Sequence, residues 1–253
     1  MKSKYILADA IRRAGHYGVA LAGLVMLTLT ASASGVEVLP PSSLPYGYSY
    51  EEWSAKWWEW SLGQPTNHLE LVGEPGICSG PASRVRFLNG VYLPVTGGVT
   101  SKTNHVTIDS DTPLFFTILS IWVDNSSCPT FTSFTANELA AQASNEWTAV
   151  TETSCTIDGE AVAGLENPAT TEYLVQSPAF SYTTSKKDNV LEGFFGEPCI
   201  PGDMTIYPAV AQGVYLMVAP LKPGKHTIHF VGVVAPGGTP LITEEITFDI
   251  EVL

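Results

Sequence analysis

The last residues of the chain alternate strictly between apolar and polar side chains, and this period of two limits the possible folds more than any other feature. Apolar side chains stand at every second position of the segment: Ile246, Phe248, Ile250 and Val252. Neighbouring residues of a strand point to opposite sides of a sheet, so the pattern predicts a terminal strand with one buried and one solvated face. We therefore expect a sheet that is covered on one side.

Short β-like segments repeat through most of the chain before this strand. Three of them follow one another at 204–211, 213–219 and 226–234, with turns built on Gly213, Pro223-Gly224 and 236–238. Earlier segments lie at 84–87, 106–108 and 114–123, and the last of these is apolar enough to be buried on both faces. Asp158-Gly159 predicts a type I′ hairpin, because both turn positions need a positive φ. This spacing indicates a mainly β fold, a β-sandwich of the immunoglobulin-like or jelly-roll-like type.

Two helices interrupt the β pattern, one at about 49–62 and one inserted at about 135–150. Each begins with a capping box, in which a Ser or Thr and a Glu three residues later cap each other's backbone N–H groups. The two pairs are Ser49 with Glu52 and Thr135 with Glu138. The first helix has a core-facing aromatic stripe, which consists of Tyr50, Trp53, Trp57 and Trp60.

Trp58 points about 100° away from this stripe and shares its side of the helix with Glu51. Either the Pro-rich segment before the helix covers the indole, or the ring contacts a ligand or a partner. Exposed Trp rings hold sugars and apolar ligands well, because they offer a large contact area at a low entropy cost. Trp58 and Glu51 are therefore the candidate ligand-binding residues.

The first 33 residues have the composition of a secretory signal peptide. Four basic residues, Lys2, Lys4, Arg12 and Arg13, precede an apolar run over 18–30, and small residues at 31–33 supply a cleavage site. The run is shorter than the roughly 20 residues that a membrane-spanning helix needs. We therefore expect cleavage after residue 33, a secreted or periplasmic mature protein, and no membrane insertion after cleavage. The mature chain then consists of a Pro-rich lead-in, 34–48, and one β-rich globular domain, 49–253.

The chain is strongly acidic, with 25 Asp and Glu residues against 12 Lys and Arg and a net charge of −13. Cleavage of the signal peptide changes the net charge to −16, because it removes four basic residues and one acidic residue. Nucleic acids are bound chiefly by neutralising phosphates with Lys and Arg. We therefore expect no nucleic-acid partner, and a surface that favours solubility outside the cell.

Four cysteines lie in the mature chain: Cys78, Cys128, Cys155 and Cys199. An even number in an oxidising compartment predicts two disulfides, for which three pairings exist. We favour Cys128 with Cys155, which closes the helical insertion onto its flanking strands, and Cys78 with Cys199, which ties an early loop to a late one. No cysteine has C-x-x-C spacing or a neighbouring His, so we expect no metal site.

No sequence motif identifies a reaction. The chain lacks the nucleophile elbow, the phosphate-binding and dinucleotide-binding Gly-rich loops, and the H-E-x-x-H helix. His226 and His229 are three residues apart in a strand and face opposite sides, so they cannot share a metal. Oxygen-rich segments at 109–111 and 124–125 lack the rest of a calcium loop and are explained by ordinary turn chemistry. We therefore assign no catalytic residue, metal or cofactor.

Two segments resemble other proteins. The pattern Trp53-x-x-x-Trp57-Trp58-x-Trp60, together with Pro-Leu-Lys-Pro-Gly-Lys-His-Thr-Ile at 220–228, resembles a group of exported bacterial proteins of unknown function. This resemblance implies export and carries over no catalytic residue. Residues 221–226 also resemble the corner before the penultimate strand of immunoglobulin-like domains, where a Tyr often hydrogen-bonds the backbone. His226 takes that place in this chain.

These features predict an exported, non-catalytic β-sandwich protein that is structural or binds a carbohydrate or another extracellular protein. The alternative is a secreted hydrolase that acts on a polysaccharide with two carboxylates about 5 to 10 Å apart. A flat aromatic patch favours the binding protein, whereas a cleft with two close carboxylates favours the hydrolase.

Overall fold

The structure is a computed structural model that describes residues 35–76, 78–90, 98–126 and 133–253. In these ranges two β-sheets pack face to face and three α-helices accompany them, which confirms the predicted mainly β sandwich. The predicted signal peptide, 1–33, and Cys128 lie outside the described residues.

The described chain has twelve strands in two sheets. In chain order the strands are β1 (Val38–Leu39), β2 (Val72–Gly73), β3 (Arg86–Leu88), β4 (Gly98–Ile108), β5 (Leu114–Asp124), β6 (Val150–Ile157), β7 (Glu160–Ala161), β8 (Leu174–Gln176), β9 (Phe180–Thr183), β10 (Thr205–Val218), β11 (Gly224–Val234) and β12 (Ile242–Val252). The helices are α1 (Tyr50–Leu62), α2 (Ala136–Trp147) and α3 (Val190–Phe195). The first sheet has the order β1-β10-β5-β3-β2, with β8 and β9 also paired to β10, and the second has the order β4-β12-β11-β6-β7.

The antiparallel pair β5 and β10 forms the centre of the first sheet. The start of β5 is buried on both faces, as predicted: Phe115 packs against the aromatic rings of α1, and Phe116 stacks on Phe230 of the second sheet with 5.5 Å between ring centroids. β10 is one continuous strand, so the predicted turn at Gly213 is wrong. A Cβ atom at Gly213 would lie 2.4 Å from the Cβ of Ser120, so glycine serves here to let β5 and β10 approach closely.

The second sheet leaves one face to solvent, as the alternating pattern predicts. On β12, Ile246, Phe248 and Ile250 are buried against the first sheet, whereas the residues between them are partly exposed. β4 pairs in parallel with β12 along its full length. The outer face of this sheet is therefore a broad polar surface.

Both predicted capping boxes are present. The Ser49 hydroxyl accepts from the Glu52 N–H while the Glu52 carboxylate accepts from the Ser49 N–H, and Thr135 with Glu138 makes the same pair of contacts on α2. The inserted helix ends before the predicted residue 150, because that residue already begins β6.

The Pro-rich lead-in is tied to the domain through its first strand. Val38 of β1 pairs with Val218 at the end of β10. The Tyr50 hydroxyl of α1 donates to the Leu39 carbonyl at 2.6 Å and accepts from the Met217 N–H at 2.8 Å. A sheet contact and a helix side chain therefore hold the same short segment.

The hairpin between β6 and β7 turns at Asp158-Gly159, where both φ angles are positive, 53° and 80°, as predicted for this pair. The tip of the hairpin lies against the corner that leads into β11. In this corner, His226 Nε2 is 2.8 Å from the Lys222 carbonyl oxygen. His226 thus contacts the backbone four residues upstream in the same corner.

The predicted disulfide pairing is wrong. Cys78 and Cys155 carry free thiols, whereas Cys199 is disulfide-bonded. Cys155 faces the core from β6, where burial raises the pKa of its thiol to about 12. A thiol that points into the core packs as a small apolar side chain.

Candidate functional site

Trp58 is a core residue, so the prediction that it forms an exposed platform is wrong. Only 5% of the residue is exposed; its Nε1 donates to the Tyr215 hydroxyl at 2.9 Å, and its ring centroid lies 5.0 Å from that of Trp122. Tyr215 and Trp122 belong to β10 and β5. The first sheet therefore covers Trp58, because Tyr215 and Trp122 contact the part of α1 that lies outside the aromatic stripe.

The other buried indoles of α1 also have hydrogen-bond acceptors. Trp53 Nε1 donates to the Pro45 carbonyl at 3.0 Å, and Trp57 Nε1 donates to the Leu88 carbonyl at 3.0 Å. Buried polar groups need such partners, so these contacts show that the Trp rings are packing elements. Glu51 is exposed in the first turn of α1, where a carboxylate stabilises the helix N-terminus, and it forms no common surface with the buried Trp58.

Two exposed aromatic rings flank a shallow groove at one end of the first sheet. Phe134, which directly precedes α2, is 44% exposed, and Tyr207, near the start of β10, is 66% exposed. The groove has a volume of about 400 Å³, and we call it the aromatic groove. Its lining consists of Asn125, Ser133, Phe134, Met204, Thr205, Ile206 and Tyr207.

The backbone of Phe134 is fixed from both sides. The Asn125 side-chain amide donates to the Phe134 carbonyl and accepts from the Phe134 N–H, both at 3.0 Å. The next residue, Thr135, is the N-cap of α2, and its capping box fixes the direction of the chain. The position of Phe134 is therefore preorganised, which lowers the entropy cost of binding.

Tyr207 is presented by the part of β10 that extends beyond β5. The last residue of β5, Asp124, pairs with Ala209, so residues 205 and 206 pair with β9 alone among the described strands. Ile206 turns into the core and is 3% exposed. Because side chains alternate along a strand, Tyr207 then points to solvent.

Among the described residues, the lining of the aromatic groove includes no Asp, Glu, Lys, Arg or His. Asp124, which directly precedes Asn125, is occupied elsewhere: its Oδ2 accepts from the Tyr182 hydroxyl at 2.6 Å and from Trp122 Nε1 at 2.9 Å. The groove thus combines aromatic rings with the hydroxyl-bearing residues Ser133 and Thr205. Such a neutral surface suits a ligand that has an apolar face and hydroxyl groups.

A second groove, of about 470 Å³, lies on the outer face of the second sheet, and we call it the polar groove. Seven polar residues from three strands line it: His105, Thr107, Lys225, His226, Thr227, Asp249 and Glu251. Asp249 and Glu251 occupy alternate positions of β12, so they share a face at a spacing of about 7 Å. His105 Nδ1 is 3.2 Å from Asp249 Oδ2, and both side chains are largely open to solvent.

Sequence reasoning missed Phe134 and Tyr207, although each had a signal. Phe134 directly precedes a capping box, and Tyr207 directly precedes Pro208. Caps and prolines mark the ends of regular structure, where side chains stay near the surface. The helical wheel points to Trp58 as the candidate ligand-binding residue, because a wheel gives the direction of a side chain but not what lies in that direction.

Within the described ranges, no three His, Cys, Asp or Glu side chains converge as a metal site would require. No helix among the described residues combines the length and the apolar character needed to cross a membrane. No protein-family model matches the chain, and no curated protein or solved structure is significantly similar to it.

Proposed function

We propose that this chain is an exported, non-catalytic β-sandwich protein that binds carbohydrate through the aromatic groove. One observation carries the proposal: Phe134 and Tyr207 stand exposed on the same groove, and two hydrogen bonds from Asn125 hold the backbone of Phe134 in place. Single exposed apolar residues are common and need no explanation, but a pair of exposed rings on one groove is typical of a binding surface.

The chemistry of the groove favours a sugar as its ligand. A sugar ring presents C–H groups on its faces and hydroxyl groups on its edge, so it stacks on aromatic rings and hydrogen-bonds to polar side chains. Ser133 and Thr205 bring hydroxyl groups to the groove beside the two rings. A protein partner is the other ligand class that exposed aromatic rings serve, but a stable interface needs about 800 Å² from each partner and would have to extend well beyond the groove.

A glycan array followed by calorimetry tests the proposal. We expect the mature protein to retain at least one neutral glycan, and Tyr207→Ala or Phe134→Ala to weaken that binding by more than about 1 kcal/mol, roughly fivefold in Kd. Leu241→Ala is the matched control, because Leu241 is 47% exposed and lies outside the groove lining. Equal binding by all four proteins would exclude the aromatic groove as the site.

The second candidate function is a secreted hydrolase that acts on a polysaccharide at the polar groove. It is favoured by the pair Asp249 and Glu251, which share one face of β12 with Cα atoms about 7 Å apart, so their flexible side chains can bring the carboxylates to the separation found in glycosidases. An assay for new reducing ends, with Asp249→Asn and Glu251→Gln as variants, separates the two functions. Turnover that both substitutions abolish would establish the hydrolase, whereas binding without turnover supports the proposed function.

A further inference from the structure

The corner before β11 holds a histidine between two hydrogen-bond acceptors. His226 Nδ1 is 2.7 Å from Asp158 Oδ2, and His226 Nε2 is 2.8 Å from the Lys222 carbonyl oxygen. The His226 side chain is only 14% exposed. The two ring nitrogens therefore contact groups from two different segments, the tip of the β6–β7 hairpin and the corner itself.

These two contacts fix the protonation state of the ring. A carboxylate oxygen and a backbone carbonyl oxygen only accept hydrogen bonds, so each ring nitrogen must carry a hydrogen. Neutral imidazole has one N–H, whereas imidazolium has two. The observed geometry is therefore satisfied only by a positively charged His226.

Asp158 is anchored to β11 independently of the ring. Its Oδ1 accepts from the Thr227 N–H at 2.9 Å, and its own N–H donates to the Thr227 carbonyl at 2.8 Å. These contacts keep the Asp158 carboxylate beside His226 whether or not the ring is charged. Loss of the ring proton must then place a nitrogen lone pair against an oxygen lone pair at one of the two contacts.

We infer that His226 is a proton-operated clasp: as imidazolium it joins the corner at 222–226 to the hairpin tip at Asp158, and when it releases a proton to solvent the corner loosens. Deprotonation leaves a single N–H, which satisfies either Asp158 or Lys222 but not both. The clasp lies at the end of the second sheet where β11 begins, and it does not depend on the aromatic groove.

Charged residues occur on each segment beside the ring: Asp158 and Glu160 in the hairpin, Lys222 and Lys225 in the corner, and Glu251 opposite Lys225 on β12. Asp158 is the charge that acts on the ring. Burial by itself lowers the pKa of His226, but the hydrogen bonds to Asp158 and Lys222 and the charge of Asp158 outweigh it, so the pKa rises above its ordinary value of 6.5. The clasp therefore contributes fully below pH 6.5 and is lost as the pH rises through the raised pKa.

NMR titration of the imidazole nitrogens in the intact mature protein tests the clasp. We expect both His226 nitrogens to be protonated at pH 6 and the midpoint to lie above 6.5. In Asp158→Asn the amide can donate to Nδ1 of a neutral ring, so the midpoint should fall by about one pH unit or more. Asn tolerates the positive φ of this turn, so the hairpin is preserved.

A second variant tests the mechanical consequence. In the native protein, we expect amide hydrogen exchange at residues 222–227 to rise between pH 6 and 9 by more than the intrinsic base catalysis of exchange. His226→Tyr offers the corner an uncharged donor, so this extra rise should vanish, and it should persist in the control His105→Gln on the exposed sheet face. A native midpoint at or below 6.5, an unchanged midpoint in Asp158→Asn, or no extra exchange in the native corner would overturn the inference.

Discussion

The tryptophans of α1 and the aromatic pair Phe134 and Tyr207 have opposite positions in the molecule. Trp53 and Trp58 are buried and their N–H groups have acceptors, whereas Phe134 and Tyr207 are exposed beside a groove. The first group is the more conspicuous in sequence, but its contacts are all internal. Aromatic density therefore marks the core of this protein, and we expect ligand contact at isolated rings near the ends of elements.

The largest expected effect is the loss of a buried indole. Trp58→Ala should lower the free energy of unfolding by about 3–5 kcal/mol, because it removes a core ring and the hydrogen bond from that ring to the Tyr215 hydroxyl. Urea unfolding followed by circular dichroism measures this change. A loss below about 1 kcal/mol would place Trp58 with the exposed rings and erase the contrast between the two groups.

A carboxyl group provides the same contrast between buried and exposed positions on β12. Glu244 is 8% exposed, and burial raises its pKa to about 8, whereas the neighbouring Glu245 points to the outer face. A carboxyl pKa that is raised on folding makes the protein bind more protons when folded. Ionisation of Glu244 should therefore lower the free energy of unfolding. This effect is absent below about pH 4.5 and grows as the pH rises towards 8.

Glu244→Gln removes this ionisation. We expect it to raise the free energy of unfolding by roughly 2–4 kcal/mol at pH 8 and to flatten the pH dependence, since each pKa unit corresponds to about 1.4 kcal/mol. Glu245→Gln is the matched control on the other face and should change stability by less than about 0.5 kcal/mol. Equal pH profiles for both variants would show that Glu244 titrates like a surface carboxylate.

A smaller effect is expected at the residue that positions Phe134. Asn125→Ala removes both side-chain contacts to the Phe134 backbone and should cost about 1 kcal/mol of stability. Because Phe134 is then no longer preorganised, glycan affinity should fall as well. Calorimetry and thermal melts on the same sample separate these two changes. Unchanged affinity would mean that the fixed backbone of Phe134 is irrelevant to binding.

Local features of this fold were predictable from sequence, and contacts between distant segments were not. The capping boxes at Ser49 and Thr135, the Asp158-Gly159 turn and the alternation of β12 each depend on a few neighbouring residues, and all are present. The continuity of β10 through Gly213 depends on Ser120 of another strand. Local patterns fix the dihedral angles of a segment but not its partner.

The errors at the candidate site have the same cause. The covering of Trp58 depends on Trp122 and Tyr215, which lie far away in sequence, and the pairing of the cysteines depends on Cys155 facing the core. The exposure of Tyr207 follows from the end of β5 at Asp124, a boundary that the sequence places only approximately. A site built from the ends of several elements is therefore visible only once those elements are assembled.

Two variants, Tyr207→Ala and Trp58→Phe, test most directly whether glycan binds at the aromatic groove while Trp58 belongs to the core. Thermal melting and glycan binding are measured on both variants. Tyr207→Ala should change stability by less than about 0.5 kcal/mol while weakening glycan binding at least fivefold. Trp58→Phe should lower the melting temperature and leave the affinity of the folded protein unchanged. If Tyr207→Ala binds like the native protein while Trp58→Phe loses binding at a temperature where it is fully folded, the aromatic groove is not the binding site.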